Sequence, residues 1–168
     1  MIIRKLLFIS VCLVALTTSY AQQQLSLYDS LRVMPAFRYY QLNGRVFVPD
    51  SIDDDNQTVI VYFKKNCPFC ERQAEIISNH LNNFPSNVEF LFIAKEDTAF
   101  INEFALKYKL GGSSKIKFLR DKERSYFQYC NPSFTPSIHI YSEKRKLILF
   151  HEGVMTYKEL FQQILGAR

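Results

Sequence analysis

Cys67 and Cys70 flank a proline and a phenylalanine in the run Cys67-Pro68-Phe69-Cys70. Two thiols at that spacing can close on each other as a disulfide and reopen, a two-electron exchange in which thiolate is the attacking species. Their place in the chain gives the pair its chemical meaning. Thr58–Phe63 (TVIVYF) is a continuous β-branched and aromatic run of the kind that forms strands buried on both faces. From Pro68 the pattern turns helical, with Cys70, Ala74, Ile77 and Leu81 on one face until Pro85 ends it. The cysteines therefore stand where a buried strand becomes a helix. Cys67 falls in the N-cap region, where unpaired backbone N–H groups and the helix dipole favour a negative sulfur. Pro68 suits the first helical position, where its missing N–H costs nothing. Lys64 and Lys65 add positive potential. Cys70 lies one turn in, on the apolar face. The expectation is an outward nucleophile at Cys67 and a sheltered resolving thiol at Cys70.

Other uses of the pair fit less well. A fixed disulfide across so short a loop restrains the unfolded chain little. Half of a zinc site needs a second close pair, and His80, His139 and His151 are scattered, so neither a metal nor another cofactor is expected. Cys130 is left over. It reads either as a buried small apolar residue or as an accessory thiol.

The start of the chain carries an address. Arg4 and Lys5 precede the apolar run Leu6–Leu16, and Ser19 and Ala21 place small residues where a signal peptidase reads. Residues 1–21 are expected to be a cleaved signal peptide, since the apolar run is shorter than the about 20 residues that span a bilayer; an uncleaved N-terminal anchor is the alternative. Cys12 would leave with it. Residues 22–168 then form one exported domain, soluble rather than membrane-spanning and most simply periplasmic, where disulfides persist. At 168 residues, 48% hydrophobic, the chain can bury a real core. A net charge of +5, scattered along the sequence, does not indicate nucleic acid.

Other elements follow from pattern. Asn43-Gly44 marks a hairpin turn in an N-terminal extension, and Asp53-Asp54-Asp55-Asn56 reads as a solvated acidic turn rather than a calcium loop. Val88–Ala94 is a second buried strand. Asp97-Thr98 caps a helix bearing Phe100, Ile101, Phe104, Ala105 and Tyr108, expected to end at Gly111-Gly112. Ile116 and Phe118 alternate in a short strand. Ser137–Tyr141 and Leu147–Phe150 make a hairpin, and Thr156 with Glu159 forms a capping box for a last helix closed by Gly166. The order gives an α/β fold, a central mixed sheet with helices on both faces and an N-terminal β-hairpin extension.

The segment from about Met34 to Leu165 resembles the thioredoxin superfamily, and within it the TlpA/ResA-like thiol-disulfide oxidoreductases of the bacterial envelope. The resemblance rests on Pro35-Ala36-Phe37 with Leu42-Asn43-Gly44-Arg45, on Cys67-Pro68-Phe69-Cys70, on Thr135-Pro136 before a strand, and on Glu152-Gly153 before the final helix. It implies a cis-proline at Pro136, with the backbone of Thr135 beside the attacking sulfur, ready to pair with an extended substrate. Without it, a trans proline opening an edge strand is equally natural. The long separation of Cys70 from Pro136 fits this branch better than thioredoxin or glutaredoxin.

Departures from the family pattern are Asn66 in place of its tryptophan, Gln73 in place of its frequent acid, and Val61 where thioredoxin has a buried aspartate. No proton acceptor for Cys70 is visible; Glu71, in the first turn, is explained by helix favouring alone. Phe69, Phe127 and Phe134 could rim the site for docking, and His139 is the histidine nearest to it. The resemblance thus implies an exported reductase of envelope-protein disulfides, with protein disulfides or dithiols as partners and a membrane thiol as donor. The rival is a non-enzymatic binding module, copper-handling or locked as a structural disulfide; copper-delivery relatives use CxxxC with a distant histidine.

Overall fold

A computed structural model of the protein describes residues 32–166. The expected signal peptide and its cleavage point lie outside the described residues. Among them, seven strands form one mixed sheet: β1 (Tyr39–Gln41), β2 (Val46–Phe47), β3 (Gln57–Tyr62), β4 (Val88–Ala94), β5 (Ile116–Arg120), β6 (Ser137–Tyr141) and β7 (Leu147–Glu152). Their order across the sheet is β2-β1-β5-β4-β3-β6-β7. The apolar runs that mark β3 and β4 in the sequence pair in parallel at the centre, Val59 opposite Phe90 and Val61 opposite Phe92. β5 continues in parallel on β4, while β6 and β7 add antiparallel on the other side.

Four helices pack on this sheet: α1 (Pro68–His80), α2 (Thr98–Lys107), α3 (Ser125–Cys130) and α4 (Tyr157–Leu165). The crossovers β3-α1-β4 and β4-α2-β5 step in the same direction. Right-handedness of such units then puts α1 and α2 on one face. That face buries Val59, Val61 and Phe63 against Ala74 and Ile77 of α1, Ile101 and Phe104 of α2, and Leu160 and Ile164 of α4. Because strand side chains alternate, Ile60 and Tyr62 point to the opposite face. There they meet Leu91, Ile93, Phe37, Tyr39, Phe47 and Tyr126. Helices do occupy both faces, but unequally: α3 stands on the second face with the N-terminal strands.

α3 was not expected from pattern. It has only six residues, and Arg124 before it, at φ +55, offers no side-chain cap. Its start is held from further back by Asp121, which is fully buried. The Asp121 carboxylate accepts the Ser125 N–H (2.8 Å), the Ser125 hydroxyl (2.9 Å) and the Tyr126 N–H (2.9 Å). The chain leaves α2 earlier than the glycine pair suggests, since Lys109 takes the left-handed conformation (φ +55). β7 runs to Glu152, two residues past the expected end. Elsewhere the local signals hold. Gly44 (φ +82) turns the β1-β2 hairpin, Asp97 accepts the Phe100 N–H at 2.8 Å, and Thr156 and Glu159 close the capping box of α4. The acidic turn stays exposed, and Asp50 and Asp54 bind Arg145 of the β6-β7 turn at 3.0 and 2.8 Å.

Asp121→Ala leaves two N–H groups and a hydroxyl without their acceptor. It should lower unfolding stability by about 2–4 kcal/mol in denaturant melts, with an unchanged m-value. Asp121→Asn should cost less, because an acceptor oxygen remains.

Candidate active site

The site is built from two distant stretches. The first is the β3-α1 junction. Phe63, just past β3, is fully buried, with its ring 4.4 Å from that of Phe104 and 6.0 Å from that of Phe92, which pins the end of the strand. Asn66 then turns the chain through a left-handed conformation, φ +56. Cys67 follows as the N-cap of α1, extended at φ −122, and Pro68 opens the helix. Cys67 and Cys70 are joined in a disulfide with their Cα atoms 5.2 Å apart. The Cys70 N–H donates to Cys67 Sγ at 3.1 Å, and the Glu71 N–H donates to the Cys67 carbonyl at 3.1 Å. The sulfur thus occupies the place where an N-capping oxygen usually stands.

The second stretch runs from α3 to β6. The Thr135–Pro136 peptide bond is cis, and Pro136 is buried. Thr135 places its carbonyl oxygen and its Oγ1 each 3.6 Å from Cys67 Sγ. The expected outward sulfur is corrected by this contact. In the oxidised site Cys67 is 4% exposed and Cys70 1%, because the Thr135 loop closes over the first and the core over the second. Phe69 stands outward instead, at 65%. Phe127 and Phe134, the other expected rim residues, are also exposed.

Several neighbours take other roles. Glu71 reaches across to α2, where its Oε2 accepts the Tyr108 hydroxyl at 2.6 Å and the Lys107 ammonium at 3.1 Å. Those two donors, Tyr108 foremost, hold its carboxyl below the usual range and make it a weak base. Gln73 is fully buried, and its Oε1 accepts the Met155 N–H at 2.7 Å, tying α1 to the approach to α4. Cys130 is not brought to the pair. It packs in the cluster on the sheet face opposite the one that holds Cys67 and Cys70, and burial pushes its thiol up to about 12. His139 belongs to that second face too. Its Nδ1 lies 3.1 Å from the Tyr126 hydroxyl, which is 2.7 Å from Ser137 Oγ, and Phe150 stacks on the ring. Burial draws its pKa down to about 3, so it stays neutral. Among the described residues no cluster of three or more His, Cys, Asp or Glu is disposed to hold a metal.

Solved structures share this fold. A secreted disulfide oxidoreductase of Mycobacterium tuberculosis, homologous to E. coli DsbE, superposes with a TM-score of 0.65 at 22% identity, over 82% of this chain and 98% of that one. The fold is that of thioredoxin. StoA from Bacillus subtilis has it too (TM-score 0.61, 14% identity, 79% of this chain and 98% of its own). So does the thioredoxin domain of a thiol-disulfide oxidoreductase from Bacteroides vulgatus (0.66, 12%, 80% and 94%). No protein-family model and no curated protein sequence matches the chain. In this thioredoxin fold the Cys67–Cys70 pair occupies the strand-to-helix junction and the Thr135–Pro136 loop faces it.

Two measurements probe the second face. With Cys67 and Cys70 replaced by serine, Cys130 should react with iodoacetamide at pH 8 at least about a hundredfold more slowly in the folded protein than in urea. His139 should make stability fall with acid. The unfolded chain takes up its proton near the ordinary value of 6.5, whereas the folded protein takes it up only at about 3. Between those values stability is lost as pH falls, with a slope approaching about 1.4 kcal/mol per pH unit. Denaturant midpoints for wild type and His139→Phe should converge as pH drops through that window.

Proposed function

We propose that this protein is an exported, TlpA/ResA-like thiol-disulfide oxidoreductase that reduces disulfides of envelope proteins through Cys67 and Cys70. The observation that carries the reading is the disulfide at the N-terminus of α1 with the Thr135 backbone beside its first sulfur. In the reduced protein, Cys67 thiolate keeps the Cys70 N–H as a donor, and the helix terminus and the exposed Lys64 and Lys65 favour its charge. The thiolate attacks one sulfur of the partner disulfide; that S–S bond breaks, and the departing partner thiolate takes a proton from water. Cys70 then gives its proton to water and attacks Cys67 Sγ. The mixed disulfide breaks, the second partner sulfur leaves as a thiolate and takes a proton from water so that the partner departs as a dithiol, and the Cys67–Cys70 disulfide re-forms. Two electrons have passed to the partner. An external thiol, membrane-bound in the reading offered here, restores the dithiol by the same exchange in reverse.

Thr135 and Pro136 supply the platform along which an extended segment of the partner aligns its cystine, while Pro68 and Phe69 face it across the pair. The signal-peptide pattern of residues 1–21 and the likeness in fold to a secreted disulfide oxidoreductase support the envelope as the compartment. One observation favours a second reading, a binding module with a locked disulfide: the near-complete burial of Cys67.

Alkylation followed by intact mass, across a glutathione redox series, separates the two. Wild type and Cys130→Ser should each show one two-electron couple, absent from Cys67→Ser and Cys70→Ser. Cys70→Ser should accumulate mixed disulfides with partners. In the reduced protein Cys67 should label with iodoacetamide near pH 6.5 at least about tenfold faster than an unactivated thiol. Labelling no faster than that thiol, or a disulfide that resists reduction throughout the series, defeats the enzymatic reading.

A further inference from the structure

Thr135 can serve as a platform only if something fixes the loop that carries it. The loop runs from Asn131, which ends α3 in the left-handed region at φ +35, to Ser137 at the start of β6. It has no strand partner of its own, so its backbone donors need another acceptor. Glu152, the last residue of β7, supplies it. One carboxylate oxygen, Oε1, accepts the Ser133 N–H at 2.6 Å and the Phe134 N–H at 3.3 Å. The register delivers it there, since Glu152 stands opposite Ser137 in the β6-β7 ladder. The next residue, Gly153 at φ +101, donates its N–H to the Pro136 carbonyl at 2.8 Å. The residues on either side of Thr135 are thus tied to the end of β7, and Thr135 itself is left facing Cys67 Sγ.

We infer that Glu152 is a positioning residue: it fixes the Thr135 backbone against Cys67 and so governs how a polypeptide disulfide, as opposed to a small one, is presented to the sulfur. The assignment rests on the redox reading above. Both N–H groups converge on one oxygen, so what the loop requires is an acceptor held at that reach. Glu152 touches neither sulfur, so the attack on a disulfide that needs no backbone alignment should not depend on it.

The test compares two substrates with the reduced full chain in stopped flow: a disulfide-linked peptide pair and bis(2-hydroxyethyl) disulfide. Glu152→Ala should slow the peptide reaction roughly tenfold, expressed in the half-saturating peptide concentration more than in the limiting rate, and leave the small disulfide within about twofold of wild type. Equal loss on both substrates, or no loss on either, overturns the assignment. Should Glu152→Ala fail to fold, two conservative variants decide. Glu152→Gln keeps an acceptor oxygen at the same reach and should stay closer to wild type on the peptide than Glu152→Asp, whose carboxylate is one methylene short. The reverse order overturns the positioning role, because it would mean that charge rather than reach matters. A wild type inert to both disulfides would overturn the redox reading and this inference with it, whereas an active wild type with indifferent variants removes this inference alone.

Discussion

The N-terminus of α1 is the constraint on which the rest of the site depends. A helix begins with backbone N–H groups that no carbonyl of the same helix can satisfy. Here one of them, from Cys70, is met by the sulfur of Cys67. A thiol group in that position becomes more acidic, and a second thiol one turn later is within bonding reach. Much of the nearby structure serves to hold this junction still. Phe63 locks the end of β3 into a cage of aromatic rings, Asn66 turns the chain, and Pro68 commits it to helix. Glu71 and Gln73 then fasten the first turns of α1 to α2 and to the approach to α4.

The other half of the site comes from far along the chain, and it arrives by way of the sheet. β6 pairs with β3, so the residue before β6 necessarily ends up beside the residue after β3. The same pairing separates two environments. On one face lie the cysteine pair and three helices. On the other lies a buried polar group of Tyr126, Ser137 and His139, with Cys130 packed in the same cluster. Neighbours in β6 therefore have unrelated surroundings: Ile138 packs on the face of the cysteine pair, whereas His139 sits on the far side as a neutral ring.

Much of this architecture was legible in the sequence. The buried strands β3 and β4 announced themselves by continuous β-branched and aromatic residues, and the capped helices by Asp97 and by Thr156 with Glu159. What escaped had weak local signals. α3 is too short to show a period and takes its cap from Asp121, several positions upstream and across a turn. The end of α2 at a left-handed lysine contradicts the usual preference for glycine, so the glycine pair misled.

By itself the sequence determined the chemistry available: two thiols at a helix start, a proline ahead of a strand, and an order of elements that reads as one α/β sheet with helices on both faces. Those are local properties, set by residue type and spacing. Tertiary structure decided which groups meet. It buried Cys67 under Thr135, sent Cys130 and His139 to the opposite face, and brought Glu152 back to hold the loop. Such outcomes depend on strand register and on which face each side chain takes, and a shift of one residue would reverse them. No local pattern encodes a register, because register is fixed only when the partner strand is in place.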